Sequence, residues 1–228
     1  MTVDEIRAVI RLVTLVDSGE ISDAQLLLWI NEAIYDVAMR NDWDWLEAET
    51  TFPTVAGTQA YAITSMVSGD EMQSIEAIIR DGQSTPLIPI SHKQALALWG
   101  DNVTSGTPKY YSIYKESVYL FPIPSAAETI NVHYVKPPAE LTAAADSPAW
   151  MRTFHNLVVP YVEANVWKQQ EDYAKAQMAM ASYFDRLDMM MRAYQGRQNT
   201  GPWTLGAGRS TRTGAAEPFR NDWSEADA

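Results

Sequence analysis

Cysteine is absent from the 228-residue chain, and histidine occurs only three times. Without cysteine there is no disulfide framework, no thiolate zinc site and no thiol nucleophile. His92, His133 and His155 lie far apart, and none has a metal-ligand spacing such as HExxH. We therefore expect each histidine to be a satisfied or surface residue, and we expect no catalytic residue, metal or cofactor.

Basic residues are also scarce, with 17 Lys and Arg against 29 Asp and Glu, a formal net charge of −12. Affinity for DNA and for anionic lipids comes largely from Lys and Arg, so this balance opposes an independent DNA-binding module or a membrane-surface protein. No apolar run approaches the ~18 residues of a membrane span. The N-terminus also lacks the basic flank and apolar core of a secretory signal.

Two short runs resemble ligand sites. The sequence Asp42-Trp43-Asp44 could hold a divalent cation, which would make a metal-dependent hydrolase an alternative. We favour a polar turn with Trp43 or Trp45 packed inward, because hard cations require more carboxylates than this run provides. The glycines of Gly206-Ala207-Gly208 follow no predicted strand and precede no predicted helix, so they do not indicate a phosphate loop.

Helical patterns occupy both ends of the chain. Capping boxes at Thr2–Glu5 and Ser22–Gln25 each precede apolar residues at steps of three and four, which predicts two helices that pack as an antiparallel hairpin. Ser147-Pro148 predicts the start of a third long helix, which Pro160 should kink. A fourth helix should follow and stop at Gly196.

The middle of the chain alternates with a period of two and therefore predicts strands. Ile75, Ala77 and Ile79 alternate, as does the segment 129–135. A third capping box, Ser91–Gln94, predicts a short helix within this β-rich block. Turns are predicted at 56–58, which should be hairpin-like, at 81–82 and at 115–117.

The predicted fold class is α+β: a helical bundle split by an inserted β-sandwich-like module, with an extended C-terminal arm. The expected domains are bundle helices in 1–46, the β-rich module in 47–140, bundle helices in 141–196 and the arm in 197–228. The arm has no apolar period and should be extended or disordered in isolation. Aromatic residues in expected loops and in the arm suggest surfaces covered by other molecules: Trp43, Trp45, Trp203, Phe219 and Trp223.

An ordered succession of short motifs adds a resemblance to a known family. The motifs are Trp43-Asp44-Trp45-Leu46-Glu47-Ala48, Gly57-Thr58-Gln59-Ala60-Tyr61, Pro108-Lys109-Tyr110-Tyr111, Val118-Tyr119-Leu120-Phe121-Pro122-Ile123-Pro124 and His133-Tyr134-Val135-Lys136-Pro137-Pro138. Together they resemble the head-to-tail adaptor, or connector, proteins of tailed bacteriophages, especially the short-tailed kind. The resemblance covers about residues 1–195.

The resemblance implies a structural virion protein at the neck, made in the host cytoplasm and not an enzyme. Such adaptors assemble as a ring, usually dodecameric, beneath the portal protein. They extend the DNA channel and present a platform for tail or nozzle proteins. Packaged DNA would pass through without specific binding. Another neck or tail-completion protein is the alternative within the same class.

Residues for these roles follow from charge and position. Arms of such adaptors commonly embrace the portal, so the expected portal or neighbour contacts are Trp203, Arg209, Arg212, Phe219, Arg220 and Trp223. A wall that DNA must slide past should be acidic or neutral, since each Lys or Arg on phosphate adds a salt-dependent grip. The channel-lining candidates are Glu163, Glu171, Asp172, Asp185 and Asp188. On long helices such carboxylates are also typical of a solvated face.

Overall fold

The computed structural model describes residues 1–67, 71–100 and 103–198. The chain divides into two compact units, Met1–Met190 and Met191–Ala228, with the boundary inside the last helix. The helices are α1 (Val3–Thr14), α2 (Asp23–Ala38), α3 (Ile63–Met66), α4 (His92–Trp99), α5 (Val158–Gln169) and α6 (Tyr173–Gln198). The strands are β1 (Glu47–Pro53), β2 (Ala60–Ala62), β3 (Ser74–Arg80), β4 (Ile88–Pro89), β5 (Ser105–Gly106), β6 (Tyr110–Tyr114), β7 (Ser117–Phe121), β8 (Ile123–Pro124) and β9 (Thr129–Val135).

Side-chain caps start the first two helices where the sequence predicts them. The Thr2 hydroxyl accepts from the Glu5 backbone N–H, and the Glu5 carboxylate accepts from the Thr2 N–H, which completes a capping box. The Ser22 hydroxyl accepts from the Gln25 backbone N–H. The Gln25 side chain instead donates to Gln169 Oε1 at 3.0 Å, so it ties α2 to the end of α5.

Contacts along the helices establish the relative directions of the helices in the bundle of the first unit. Met1 lies beside His155, just ahead of α5, and Val13 lines a groove with Trp167 near the end of α5. Helices α1 and α5 therefore run in the same direction. Helix α2 runs opposite to both, since its start meets Gln169. Helix α6 also runs opposite to α5, because the Tyr183 and Tyr161 rings meet at 5.2 Å and Arg186 reaches back to Asn156.

Pro160 lies in the first turn of α5 rather than in the middle of a helix. A proline has no N–H, so the carbonyl of Asn156, four residues earlier, loses its usual helical donor. The Arg186 guanidinium of α6 donates to that carbonyl at 2.9 Å. The kink predicted at Pro160 is replaced by a junction between a 3-10 segment, Arg152–Leu157, and α5.

The predicted helix start at Ser147-Pro148 is wrong, because the backbone there is engaged elsewhere. The carbonyls of Ala144 and Asp146 accept from the N–H groups of Asp4 and Val3, at 3.1 and 2.8 Å. Those two donors belong to the first turn of α1 and have no partner within their own helix. The loop before α5 therefore caps α1 instead of beginning a helix.

The inserted module contains two sheets that share one hydrophobic core, and most neighbouring strands within them are antiparallel. One sheet has the order β1-β9-β3, the other the order β2-β7-β6-β4, and β5 pairs with β8 separately. Ile78, Ile130 and Val132 of the first sheet join a single buried cluster with Tyr111, Val118 and Leu120 of the second. Burying one face of each sheet against the other is what makes this arrangement stable.

Helix α4 covers the other face of the four-stranded sheet. Its residues His92, Ala95 and Trp99 recur at helical spacing and face the sheet. The His92 ring stacks on Tyr114 at 4.2 Å, Ala95 is fully buried, and the Trp99 ring stacks on Phe121 at 5.0 Å. The predicted capping box at Ser91–Gln94 is confirmed.

Two local predictions in the module are wrong. The turn at 56–58 does not form a hairpin, because β1 pairs with β9 while β2 pairs with β7. The alternation of Ile75, Ala77 and Ile79 is interrupted by a β-bulge between Ile75 and Ala77, which turns Ile78 into the core instead. A single extra residue reverses the inward side of every residue that follows it.

The α+β class is confirmed, with α1 and α2 preceding the strands described above and α5 and α6 following them. The four domain boundaries stay predictions. The arm, 197–228, lies outside the described residues, except that the backbone of 197 and 198 is helical.

Candidate interaction surfaces

The Asp42-Trp43-Asp44 run is a polar turn anchored by its central residue. Trp43 is 1% exposed, and its indole N–H donates to the Val37 carbonyl at 2.8 Å. Asp42 and Asp44 are exposed on either side of it. Across residues 1–67, 71–100 and 103–198, no three His, Asp or Glu side chains gather as metal ligands. The expectation that Trp43 is covered by another molecule is wrong, since its own fold buries it.

Three tryptophans mark the two crossings of the chain between bundle and module. Trp45 follows α2 and precedes β1, whereas Trp150 follows the module and precedes α5. Their rings meet edge to face at 5.5 Å, and Trp45 also lies 6.4 Å from Trp43. Buried aromatic pairs of this kind contribute about 0.5–1.5 kcal/mol beyond their area. Trp150 was missed in the sequence because it follows small residues in a loop without periodicity.

The histidines take structural positions, as predicted for His92 and His155. His92 stacks on Tyr114 and faces the Ser112 hydroxyl at 3.3 Å. His155 is 6% exposed, with Nε2 lying 3.0 Å from the Trp150 carbonyl and Nδ1 lying 2.7 Å from the N-terminal nitrogen of Met1. These contacts hold the start of α1 against the entry to α5.

The third histidine lies among carboxylates on the open face of the three-stranded sheet. His133 Nε2 is 3.9 Å from Glu49, and Glu47 and Glu76 line the same shallow depression. Partial burial raises the pKa of the Glu47 carboxyl, and the nearby charges of Glu76 and Asp44 raise it further. This face is therefore crowded with negative charge and opposes contact with a phosphate backbone.

The channel-lining candidates do not share one surface. Asp185 and Asp188 lie one turn apart on α6, within about 60° around the helix axis. Asp172 lies thirteen residues before Asp185, which places it about 140° away around the same axis. It is also engaged locally, as its side chain accepts from the Lys175 backbone N–H and pairs with the Lys175 ammonium at 2.8 Å.

Glu163 and Glu171 are placed differently again. Glu163 is half-buried on α5 and accepts a hydrogen bond from the Trp167 indole at 3.2 Å. Glu171 is exposed in the turn between α5 and α6, with a left-handed backbone at φ 60°. Among the five candidates, Asp185 and Asp188 alone lie together on the outer part of one helix.

Apolar side chains run along the outer faces of two bundle helices. On α2, Leu28, Tyr35 and Met39 are separated by seven and four residues, and Leu28 and Met39 are 57% and 74% exposed. On α6, Met178 and Met189 are separated by eleven residues and are 74% and 63% exposed. Eleven residues correspond to about three helical turns, so each set forms a stripe. We name these the α2 stripe and the α6 stripe.

The arm residues that the sequence analysis singled out for portal or neighbour contact lie outside the described residues: Trp203, Arg209, Arg212, Phe219, Arg220 and Trp223. The same is true of Gly206-Ala207-Gly208. No described helix combines the length and the apolarity needed to cross a bilayer.

Exposed apolar stripes on a split bundle are surfaces suited to contact with another protein. Comparison with known families gives a specific class. A family model described as SU10 adaptor protein matches residues 1–208, and the chain belongs to that family. The family is one of phage structural adaptors, in agreement with the resemblance found in the sequence. No curated protein matches the chain.

Proposed function

We propose that the chain is a structural, non-enzymatic part of the phage neck that assembles as a ring of twelve copies beneath the portal protein. In this role it joins head to tail, extends the DNA channel and presents a platform to tail or nozzle proteins. The family supports a phage adaptor. The observation that carries the ring is the pair of exposed apolar stripes on two different helices of one bundle.

A closed ring requires each copy to present two different faces that fit each other. The α2 stripe and the α6 stripe meet this requirement, because they lie on separate helices and each extends over about three turns. Leu28 and Met189 are 57% and 63% exposed, so the described residues leave most of these side chains in water. Covered by a neighbour, they contribute about 25 cal/mol per Å² of apolar surface removed from water.

The negative charge of the chain supports a role in lining the DNA channel. The chain carries a formal net charge of −12, and α6 carries Asp185, which is exposed, and Asp188, which is half-buried. We propose that these two carboxylates face the lumen from the edge of the α6 stripe. Asp185 lies about 20° and 40° around the helix axis from Met178 and Met189, and Asp188 lies further away, at about 80° and 100°. An acidic wall forms no counterion-releasing contacts with phosphate, so the duplex stays mobile as it passes. Glu163 and Asp172 are better explained by their contacts with Trp167 and Lys175.

Contact with the portal or with a neighbouring copy is assigned to the arm. Its residues include Trp203, Phe219 and Trp223 with Arg209, Arg212 and Arg220, which are the residue types enriched at protein interfaces. Tail or nozzle proteins would then bind elsewhere on the ring. Localisation follows from the assembly: the protein is made in the host cytoplasm and ends in the virion neck.

The stripes can be tested by single charge substitutions followed by mass measurement of the assembled species. Leu28→Glu and Met189→Glu should each abolish ring formation, because a carboxylate cannot be buried against an apolar neighbour without a partner. Leu98→Glu, on an equally exposed leucine of α4, is the matched control and should assemble normally. Rings formed equally well by all three variants would contradict the assignment of the stripes.

A further inference from the structure

Leu15, at the end of α1, occupies a position that disfavours leucine for two independent reasons. It has a left-handed backbone, φ 59° and ψ 23°, where it caps α1 by donating its N–H to the Arg11 carbonyl. Glycine is the residue that usually takes this conformation. The Leu15 side chain is also 86% exposed, so no packing among the residues that the structure describes compensates for the backbone cost.

Other exposed apolar side chains lie near Leu15 on α1. Leu12 is 75% exposed, and Val13 lines a groove with Trp167 of α5 and Met178 of α6. The ring of Trp167 lies under the Lys175 ammonium at 4.1 Å, which fixes one wall of the groove. We name this surface, formed by the turns 15–22 and 170–172 with the adjoining helix ends, the free end of the bundle.

The rim of the free end is acidic. Asp17 and Glu20 lie in the first turn, and Glu171 lies in the second, where it also has a left-handed backbone at φ 60°. None of the ion pairs found among the described residues involves these three carboxylates. An apolar centre with an unneutralised acidic rim fits a partner that is apolar and basic.

The chain itself contains a segment with this chemistry. Residues 197–216 include Arg197, Arg209 and Arg212, no Asp or Glu, and the apolar side chains of Trp203 and Leu205. The following residues, 217–228, have the opposite balance, with four acidic residues and one arginine. The eighteen residues after α6, 199–216, span at most about 59 Å when extended, which exceeds the roughly 39 Å length of the 26-residue helix α6.

We propose that the free end of the bundle is a docking site for the basic segment 197–216 of a second copy of this chain. The segment's tryptophan and leucine would cover Leu12, Leu15 and the groove at Val13. Its arginines would pair with Asp17, Glu20 and Glu171. The inference rests on the proposed function only in that a ring brings copies side by side, and it leaves residues 217–228 for the portal.

Because the chain lacks cysteine, the docking can be tested by site-directed cross-linking of full-length protein. Two populations, Ser18→Cys and Thr204→Cys, are mixed and treated with a short bismaleimide linker. Ser18 is exposed in the same turn as Leu15, so the substitution keeps the apolar anchor. We expect a cross-linked heterodimer on the order of tenfold above the Val55→Cys control, since docking raises the effective concentration. Val55 is a 57% exposed residue of the module. High salt should reduce the yield, because the arginine pairs are screened.

Yields equal to the control would overturn the proposal. It would also be overturned if the linker joined Ser18→Cys and Thr204→Cys only within a single doubly substituted chain, which would indicate docking of a chain's own segment. Rings on portal without the cross-link would contradict this inference and leave the proposed function standing. A cross-link without portal binding would contradict the proposed function and leave this inference standing.

Leu15→Gly separates docking from folding. Glycine relieves the left-handed backbone, so the Tm of the variant should be unchanged or higher than that of the parent chain. In competition, unlabelled Leu15→Gly protein should displace the cross-linking partner about tenfold less well than the parent, because the apolar anchor is gone. A variant that is both more stable and equally competitive would show that Leu15 has no part in docking.

Discussion

The Tyr183 hydroxyl of α6 donates a short hydrogen bond to Asp36 Oδ2 of α2, and the Arg40 guanidinium pairs with the same carboxylate at 2.7 Å. This triad connects the two helices that carry the apolar stripes. Burial opposes ionisation of Asp36, but hydrogen bonds from Arg40 and Tyr183 outweigh it and lower the pKa of the carboxyl. Burial and the neighbouring Asp36 charge raise the pKa of Tyr183.

Removing the Tyr183 hydroxyl should destabilise the bundle. Tyr183→Phe keeps the ring but leaves the Asp36 carboxylate one donor short, which should cost about 1–3 kcal/mol of unfolding free energy. Tyr35→Phe is the matched control, since Tyr35 is exposed and its hydroxyl is 3.4 Å from Glu140. Urea denaturation of both variants measures the difference, and equal midpoints would show that the triad contributes nothing.

The same triad predicts a dependence on acid. Because the pKa of Asp36 is lower in the folded chain than in the unfolded chain, its contribution is present above the unfolded value, near 3.9, and is lost as the pH falls through the folded value. Asp36→Asn should therefore lose less stability than the parent chain between about pH 5 and pH 3. Parallel denaturation curves over this range would contradict the linkage.

The contact between Arg186 and Asn156 can be isolated with a double-mutant cycle. Arg186→Ala should cost about 0.5–1.5 kcal/mol, the net contribution of one hydrogen bond, because water can reach the exposed Asn156 carbonyl once the guanidinium is removed. In a Pro160→Ala background the new N–H of residue 160 can supply that donor, so the same substitution should cost less. Identical costs in both backgrounds would mean that Arg186 does not compensate for the proline.

The polar turn after α2 predicts opposite outcomes for its two residue types. Trp43→Ala should destabilise the fold by about 3–5 kcal/mol, since it removes a fully buried aromatic side chain. Asp42→Ala combined with Asp44→Ala should leave stability within about 0.5 kcal/mol and metal content unchanged. Loss of a stoichiometric divalent ion from the double variant, measured by elemental analysis, would revive the hydrolase alternative.

Local signals in the sequence predicted local structure well and long-range pairing poorly. Thr2 and Ser91 announced their helices because a capping box is complete within four residues. The pairing of β1 with β9 joins residues about eighty positions apart, and nothing near Gly57 distinguishes that arrangement from a hairpin. The helix start predicted at Ser147-Pro148 was wrong for a similar reason, since the N–H groups that bind the carbonyls of this loop belong to the distant helix α1.

For the candidate interaction surfaces too, the sequence predicts which residue types are present but not which face of a helix they occupy. Stripes such as Leu28, Tyr35 and Met39 can be found only after the buried side of the helix is known, because Leu27 and Trp29 beside them are equally apolar. Acidic residues grouped by sequence alone proved to lie on different faces, as Asp172 and Asp185 do. Their spacing around an axis becomes meaningful only once both are placed on one helix.

Lumen charge can be changed at the edge of the α6 stripe, provided that mass measurement first shows the variants to form rings. Asp185→Lys combined with Asp188→Lys should give assembled rings that bind duplex DNA with steep salt dependence, whereas parent rings should not bind. Glu116→Lys, on the exposed turn between β6 and β7, is the control for added charge and should not bind. Filter binding at several salt concentrations measures this, and equal behaviour of both variants would remove Asp185 and Asp188 from the lumen.

Two truncations can separate the roles of the two parts of the arm, 197–216 and 217–228. Removal of all residues after Gln195 should leave the Tm of the folded chain nearly unchanged but abolish attachment to portal. Removal of residues 217–228 alone should leave copies able to cross-link through residue 204 while weakening portal attachment. Co-sedimentation with portal measures both, and full attachment of the shorter chain would show that the arm is not the anchor.

Electron microscopy of the full-length chain mixed with its portal protein tests the proposed function most directly. We expect a ring of twelve copies coaxial with the portal, with an open lumen and with the β-rich modules resolved as separate densities. Free monomers beside unchanged portal rings, with no added density below the portal, would contradict it.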